Sequence, residues 1–577
     1  MKALLIAVNA KYIHSNLAVY SLKASAGAYK DQVEILETTI NQSREEILRE
    51  IYRRKPDVAA FSCYIWNIQY VKDLLYEAAL VLPDTQFFAG GPEVSYCAEA
   101  FLRENPMVKG VLIGEGETTF RELLEHYEEG RPLESIKGLV YRDDGEKGTD
   151  ASTPEIRNNG FREFEDLDQL PFMYQDLEGF EHRIIYYESS RGCPFSCSYC
   201  LSSIERRVRF RNLKLVKEEL QFFLDQKVPQ IKFVDRTFNC NHKRTMELLQ
   251  FLKEHDNGVT NFHFEISADL LQEDEIALMR TFRPGLVQLE IGVQSTNPET
   301  LKSIHRHGNI SAIAEKVEEV AKAHNIHQHL DLIAGLPCEG LESFRKSFND
   351  VYRMRPQQLQ LGFLKVLKGS EMERRAKEFG IVYRKTPPYE VLFTKWLSYG
   401  ELLELKKIEE MVEVYYNSSQ FRRTVERLEK FFGDAYRLYE SLGNYYEEEG
   451  LFGRNHSRMG RLNILRDFAL SVDQEHQKEY EQALILDLYA REKSKTRPDW
   501  ALDLTPYKDE IYEFYRNESE RRDYLKDGYE GMSRRQLLGE THLEPMDGFW
   551  YLVDYKKKDP LTGEGTVYQI FREEQRK

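Results

Sequence analysis

Short runs of apolar and β-branched residues alternate along the chain with longer stretches whose apolar positions share one helical face. The first five runs, Ala3–Val8, Val33–Leu36, Val58–Ser62, Gln86–Ala89 and Gly110–Ile113, are continuous rather than alternating, as in strands buried on both sides. Between them lie helical patterns. In one, Ile47, Leu48 and Ile51 fall on one face, and Ser43 followed by Glu46 fits a capping box. Strands separated in this way predict parallel βαβ units in an open, doubly wound α/β sheet of Rossmann-like type over residues 1–141. Ligands of such sheets sit beyond the carboxyl ends of the strands.

Residues 142–180 lose this rhythm. Asp143–Asp150 and Asn158-Asn159-Gly160 are polar punctuation, which reads as a connector. A second series fills residues 181–375. Its predicted strands are Ile184–Glu188, Gln230–Asp235, Asn261–Ser267, Leu286–Val293, His327–Ala334 and Gln358–Val366, with helices such as Leu215–Gln226 and Arg244–Glu254 between them. Six βα units with short loops suggest a curled parallel sheet, a partial TIM-like barrel whose working loops follow the strands. Residues 376–577 change again, to long charged helical patterns such as Leu402–Tyr416 and Phe421–Phe432. Near the end, Phe549–Tyr555 and Thr566–Phe571 flank a Pro/Gly turn and predict a terminal hairpin.

The chain has 577 residues, enough for about three to four domains. With 41% hydrophobic and 31% charged residues it is globular in composition. No stretch reaches the roughly 20 apolar residues of a membrane helix, and the opening run is too short for a signal peptide. The expectation is a soluble, cytoplasmic protein with no membrane partner. The formal charge of −16 disfavours nucleic acid as a partner of the surface as a whole, although a local basic groove is compatible with it. Seven cysteines do not make a secreted disulfide framework, but three of them fall within eight residues.

Those three form Cys193-Pro-Phe-Ser-Cys197-Ser-Tyr-Cys200, just after the first strand of the middle domain. Iron–sulfur cubanes are held by thiolates, commonly four. Three thiolates at this spacing hold three irons and leave the fourth open. A zinc site would normally recruit a fourth Cys or His, and Cys240 and His182 lie far off in sequence. Three buried structural thiols are the bland alternative.

The segment resembles the signature of radical S-adenosylmethionine (SAM) enzymes, whose fold is a partial βα barrel. Four further motifs follow in register: Phe233–Phe238, Phe264–Asp269, Ile291–Ser295 and Asp331–Pro337. The resemblance implies a [4Fe-4S] cluster on Cys193, Cys197 and Cys200, and SAM on its open iron. It also implies reductive cleavage to a 5′-deoxyadenosyl radical, fed by an external low-potential electron donor. Tyr199 is similar to the aromatic that packs against adenine. Asp235, Glu265, Gln294 and Asp331 are then the polar groups for the amino group and ribose, and Arg306 the partner of the carboxylate. His324, His327 and His329 read as solvent or barrel-wall histidines, because they have no carboxylate partner in sequence.

In the first domain no G-x-G-x-x-G follows the first strand. The loops Ser62–Asn67, Gly90–Glu93 and Gly114–Glu117 resemble those of the cobalamin-binding domain fused ahead of some radical SAM barrels. That comparison assigns Ser62, Tyr64, Gly90, Gly91, Gly114, Glu115 and Gly116 to cobalamin. The D-x-H-x-x-G element is missing, so His14 is a candidate but weak cobalt ligand. The last third resembles an uncharacterised extension of such proteins. A cobalamin-dependent methyltransferase is the expected activity. Ring formation, oxidation or rearrangement without methyl transfer, and a non-catalytic iron–sulfur protein, stay open. A small molecule, a peptide or an RNA are all open as substrate.

Overall fold

The computed structural model describes residues 1–143 and 155–572, so most of the polar Asp143–Asp150 punctuation lies outside the described residues. The first domain is built on β1 (Ala3–Asn9), β2 (Val33–Thr39), β3 (Val58–Ser62), β4 (Gln86–Gly90) and β5 (Val108–Leu112). They pair in parallel in the order β2-β1-β3-β4-β5. All seven residues of β1 are buried: Leu4, Ile6 and Val8 enter the core on one face, Ala3, Leu5 and Ala7 that on the other. That two-sided burial explains the continuous apolar runs. Two antiparallel strands, β6 (Leu139–Asp143) and β7 (Glu155–Asn158), extend the sheet beyond β5. The second of these comes from the segment read as a connector.

The middle domain opens with β8 (Ile185–Tyr187). A two-residue antiparallel ribbon, β9 (Ser190–Arg191) with β10 (Arg209–Phe210), frames the cysteine loop. Then come β11 (Gln230–Phe233), β12 (Asn261–Ile266), β13 (Val287–Gln294), β14 (His327–Ala334) and β15 (Gln358–Phe363). The sheet is all parallel in the order β8-β11-β12-β13-β14-β15, an open barrel. Asn212, Asn241, Asn297 and Asn309 cap the helices Leu213–Asp225, His242–Glu254, Pro298–Ser303 and Ile310–Ala321, accepting from their first free amides. Along β13, Val287, Leu289, Ile291 and Val293 are buried against the helices. The half-buried Gln288, Glu290, Gly292 and Gln294 alternate with them toward the barrel interior.

The open edge of the barrel is closed by the carboxy-terminal extension. A π-helical turn at Glu413–Asn417 places Asn417 against β15. Its Oδ1 accepts from the Leu359 amide at 2.9 Å, and its Nδ2 donates to the Leu359 carbonyl at 2.9 Å. One apolar core runs without a break from Ile185 and Phe233 in the barrel through Leu405, Tyr439 and Leu484 in the extension. A separate small core around Tyr515, Leu537 and Trp550 supports the terminal sheet. That sheet has three antiparallel strands, β18 (Thr541–Met546), β19 (Phe549–Lys558) and β20 (Gly565–Phe571), after a small pair β16 (Val382–Tyr383) and β17 (Val391–Phe393). The expected hairpin is its second and third strands. No described helix is long and apolar enough to cross a membrane.

Candidate active site

The strand-end loops of the first domain face the mouth of the barrel, and charged pairs tie the two together. Arg191 of β9 binds Glu117 at 2.5 Å and Glu188 at 2.8 Å. Arg209 of β10 binds Glu115 and, at 2.8 Å, Glu205. Lys368, after β15, reaches Glu93 at 2.9 Å, and Tyr389 donates to the same carboxylate. The contacts to Glu117, Glu115 and Glu93 cross between domains where a parallel sheet and a barrel would both present their ligands, while Glu188 and Glu205 hold the two arginines from within the barrel.

Within the barrel lies a cavity of ≈ 190 Å³. Cys193, Cys197, Tyr199, Cys200, Glu265, Gln294, Arg306 and Asp331 all line it, so residues spread over 139 positions of sequence (331 − 193 + 1) meet in one place. The loop is held by its backbone: the Cys193 amide donates to Glu205 O at 3.1 Å and the Ser198 amide to Ile304 O at 2.9 Å. Gly192 has φ +91°, and any side chain there would run into the Arg207 carbonyl. The Cys193 Sγ lies 3.6 Å from the Thr237 hydroxyl. Arg306 donates to the Cys197 Sγ at 3.7 Å and to the Gly292 carbonyl.

The polar lining has a definite sense. Gln294 sits at φ +73°, where β13 and β14 slip register, and its Oε1 is buried with no hydrogen-bond donor. Burial raises Glu265 from the ordinary 4.5 to about 7. Burial likewise raises Asp331, against the opposing effect of His329. A lone acceptor and buried carboxyls beside a fixed guanidinium suit a ligand with an ammonium and a carboxylate.

Asp235 does not join this set. It is 2% exposed, and its carboxylate accepts from the Ser189 amide at 2.7 Å, the Ser189 hydroxyl at 2.6 Å and the Ser190 hydroxyl at 2.7 Å. It braces the strand end that launches the cysteine loop and is corrected here from ligand contact to support. Residues not singled out in the sequence also line the cavity, among them Arg236, Thr237, Ser267 and Glu290. Arg236 and Thr237 directly follow Asp235 in its motif. Glu290 was readable from its two-residue alternation with Gly292 and Gln294.

The loops of the first domain divide. Tyr64 and Trp66 stack at 4.4 Å and 8°, with Trp66 45% exposed, and burial raises the Tyr64 phenol. Ser62 accepts from Asn16 at 3.3 Å. Gly90 and Gly91 pack against β5 and the Cys63 backbone; a side chain on Gly91 would start 2.6 Å from the Cys63 carbonyl. Gly114 faces the Phe161 ring, and Gly116 faces Leu22. Glu115 is committed to Arg209, Arg191 and the Glu165 amide, so its carboxylate serves the domain junction. His14 binds the Tyr186 hydroxyl of the barrel at 2.7 Å.

The donor sets can be tested against the groups they resemble sites for. Among the described residues only Glu290, His329 and Asp331 bring three candidate ligand atoms within 4.8 Å of one another. The three thiols line one cavity, and thiolates are the ligands an iron–sulfur cluster takes. In the first domain, stacked aromatics and close-packed glycine turns at the strand ends fit a large flat ligand, while the ring of His14 is held by the barrel.

Three family models match the chain: a B12 binding domain over residues 3–124, the Radical SAM superfamily over 187–351, and a protein of unknown function, DUF4080, over 377–562. An uncharacterized methyltransferase of Pyrococcus horikoshii is 29% identical over 260 residues, 44% of this chain and 54% of that protein. The cobalamin-dependent radical SAM methyltransferase TokK of Streptomyces tokunonensis is 26% identical over 314 residues, 50% of this chain and 44% of its own. The chain thus spans about half the length of these curated relatives. The radical SAM methyltransferase TsrM of Kitasatospora setae, solved with cobalamin and a [4Fe-4S] cluster, superposes with a TM-score of 0.54 at 17% identity, covering 67% of this chain and 79% of that one. The matched domains occur here in order along one chain, with the three thiols at the head of the second: the chain carries a B12-binding domain followed by a radical S-adenosylmethionine domain.

Proposed function

We propose that this protein is a cobalamin-dependent radical SAM methyltransferase acting on an unactivated centre of its substrate. The observation that carries the reading is the convergence of Cys193, Cys197 and Cys200 with Arg306, Gln294 and Glu265 in one barrel cavity, in a chain that also carries a B12-type domain. Bound there, the cluster and SAM supply hydrogen abstraction from unreactive bonds, and cobalamin supplies a methyl group. The protein's own part is placement. Arg306 offers a guanidinium to a carboxylate, the orphaned Gln294 Oε1 offers an acceptor to an ammonium, and the Tyr199 ring offers a face to adenine. Asp235 and Gly192 fix the loop that carries the thiols. The methyltransferases among the relatives favour methyl transfer over other outcomes. An external low-potential reductant completes the reading, and the substrate is a small molecule, a peptide or, least favoured by charge, an RNA.

The test is anaerobic incubation of the reconstituted protein with methyl-labelled SAM, a reductant and cobalamin. Label on the corrinoid together with release of 5′-deoxyadenosine is the expected result. Release of 5′-deoxyadenosine with no label on corrinoid or product would overturn methyl transfer and leave radical chemistry standing.

A further inference from the structure

The barrel interior holds a charged layer that borders the cavity and shares Glu290 and Asp331 with its lining. Glu290 of β13 is the register partner of His329 on β14, and Asp331 follows two residues later on the same face. Three further groups look into the layer: Lys232 from β11, His263 from β12 and, beyond His329, His327. Asp331 follows His329 by two residues in sequence, and strand pairing adds Glu290 as a second carboxylate.

The geometry of His329 and Asp331 is the informative detail. The Nε2 of His329 and the Oδ1 of Asp331 are 3.0 Å apart. Both atoms are buried, yet neither has a hydrogen bond, because the contact lies off the ring's N–H direction. His329 is 7% exposed, so water does not satisfy it in bulk. A buried nitrogen and oxygen at that separation with no shared proton point at a third position. Two ligands at right angles on an octahedral ion with bonds of about 2.1 Å stand about 3.0 Å apart, which is the spacing seen. The same relation recurs next door: His263 Nε2 lies 3.0 Å from Glu290 Oε2, is buried, and has no hydrogen bond.

The charge count agrees. Lys232 Nζ lies 2.8 Å from Glu290 Oε2 and neutralises one carboxylate, with His263 beside it, while Asp331 adds a second that faces only the imidazole of His329 and carries a full charge wherever that ring is neutral. A buried uncompensated charge is costly, and a cation removes the cost. Three rigid strand positions supplying one imidazole and two carboxylates suit a first-row divalent ion of borderline softness. Glu290 and Asp331 also line the cavity, so coordination positions left open by the protein face it.

We propose that Glu290, His329 and Asp331 form a binding site for a divalent cation, Zn²⁺ or Mn²⁺, inside the barrel and separate from the three cysteines. The test uses the full chain with Cys193, Cys197 and Cys200 all changed to Ala, so that thiolates cannot bind the probe. Its outcome is therefore independent of the radical chemistry proposed above. After chelator treatment, Mn²⁺ is titrated and followed by electron paramagnetic resonance, with Zn²⁺ as competitor. The expected result is one saturable ion per chain, weakened roughly tenfold or more by His329→Gln and by Asp331→Asn. Lys232→Met works in the opposite direction and tightens binding, because it removes the ammonium that competes for Glu290. Circular dichroism reports folding of each variant; if the two ligand variants fail to fold, the Lys232→Met arm decides. No saturable binding by the cysteine-free chain, unchanged affinity in the folded ligand variants, or no gain in Lys232→Met overturns the site.

Discussion

Asp235 takes three hydrogen bonds from Ser189 and Ser190, so Asp235→Ala orphans a buried amide and two buried hydroxyls. The expected cost is about 2 kcal/mol of stability. Iron content after anaerobic reconstitution should fall with it, because the first cysteine of the loop, Cys193, lies three residues after Ser190; urea melts and iron per chain check both. Glu265 gives a pH signature. Its folded value of about 7 lies above the ordinary 4.5, so the group favours the fold when protonated. That contribution is complete below pH 4.5 and is lost as pH rises through 7, on the order of 3 kcal/mol in all. In the ligand-free protein, the difference between wild type and Glu265→Gln should therefore move in favour of Gln from pH 5 to pH 8. At this scale the sequence picked out residues that the fold brings to one cavity: the thiols, Arg306 and Gln294. It misled wherever a role depends on which way a side chain turns. Asp235 stands in a strand-end motif like Glu265, and only the packing of β8 beside β11 turns its carboxylate to the serines.

At the scale of elements, the strand runs read from the sequence lie within a few residues of those observed, because two-sided burial demands unbroken apolar segments. Of the strands that escaped notice, β7 lacks that demand, being mostly exposed and polar, whereas β18 is buried throughout but is masked by polar residues, Pro545 and the helix directly before it. The inward face of the barrel was hidden for a related reason: alternation marks a strand, yet says nothing of what Glu290, His329 and Lys232 meet across it. The ribbon β9–β10 invites a test of the domain junction. Arg191→Met keeps the bulk but leaves Glu117 and Glu188 without their cation, both beside a largely buried position. A loss of about 3 kcal/mol is expected, visible as a lower denaturation midpoint. A midpoint within error of wild type would show that the junction does not depend on this charge.

For the whole molecule, the shared core decides what can be removed. Leu402, Leu405, Ile408 and Met411 in the extension belong to the same apolar cluster as the barrel residues Leu359 and Leu361. A chain ending at residue 376 should expose that face and aggregate, which light scattering of the expressed fragment would reveal; a monodisperse, folded fragment would contradict the continuity of the core. The domain series was visible in the rhythm of the sequence, but its union with the helices was not, because a helix pattern shows that a face is buried without naming its partner. Asn417 adds something that apolar contact cannot. A parallel sheet that stops before closing leaves a row of peptide groups able to recruit a stranger's backbone. By matching one peptide of Leu359 with a carboxamide, the extension imitates a single rung of a missing neighbour, and so guards an incomplete barrel against polymerising through its own border.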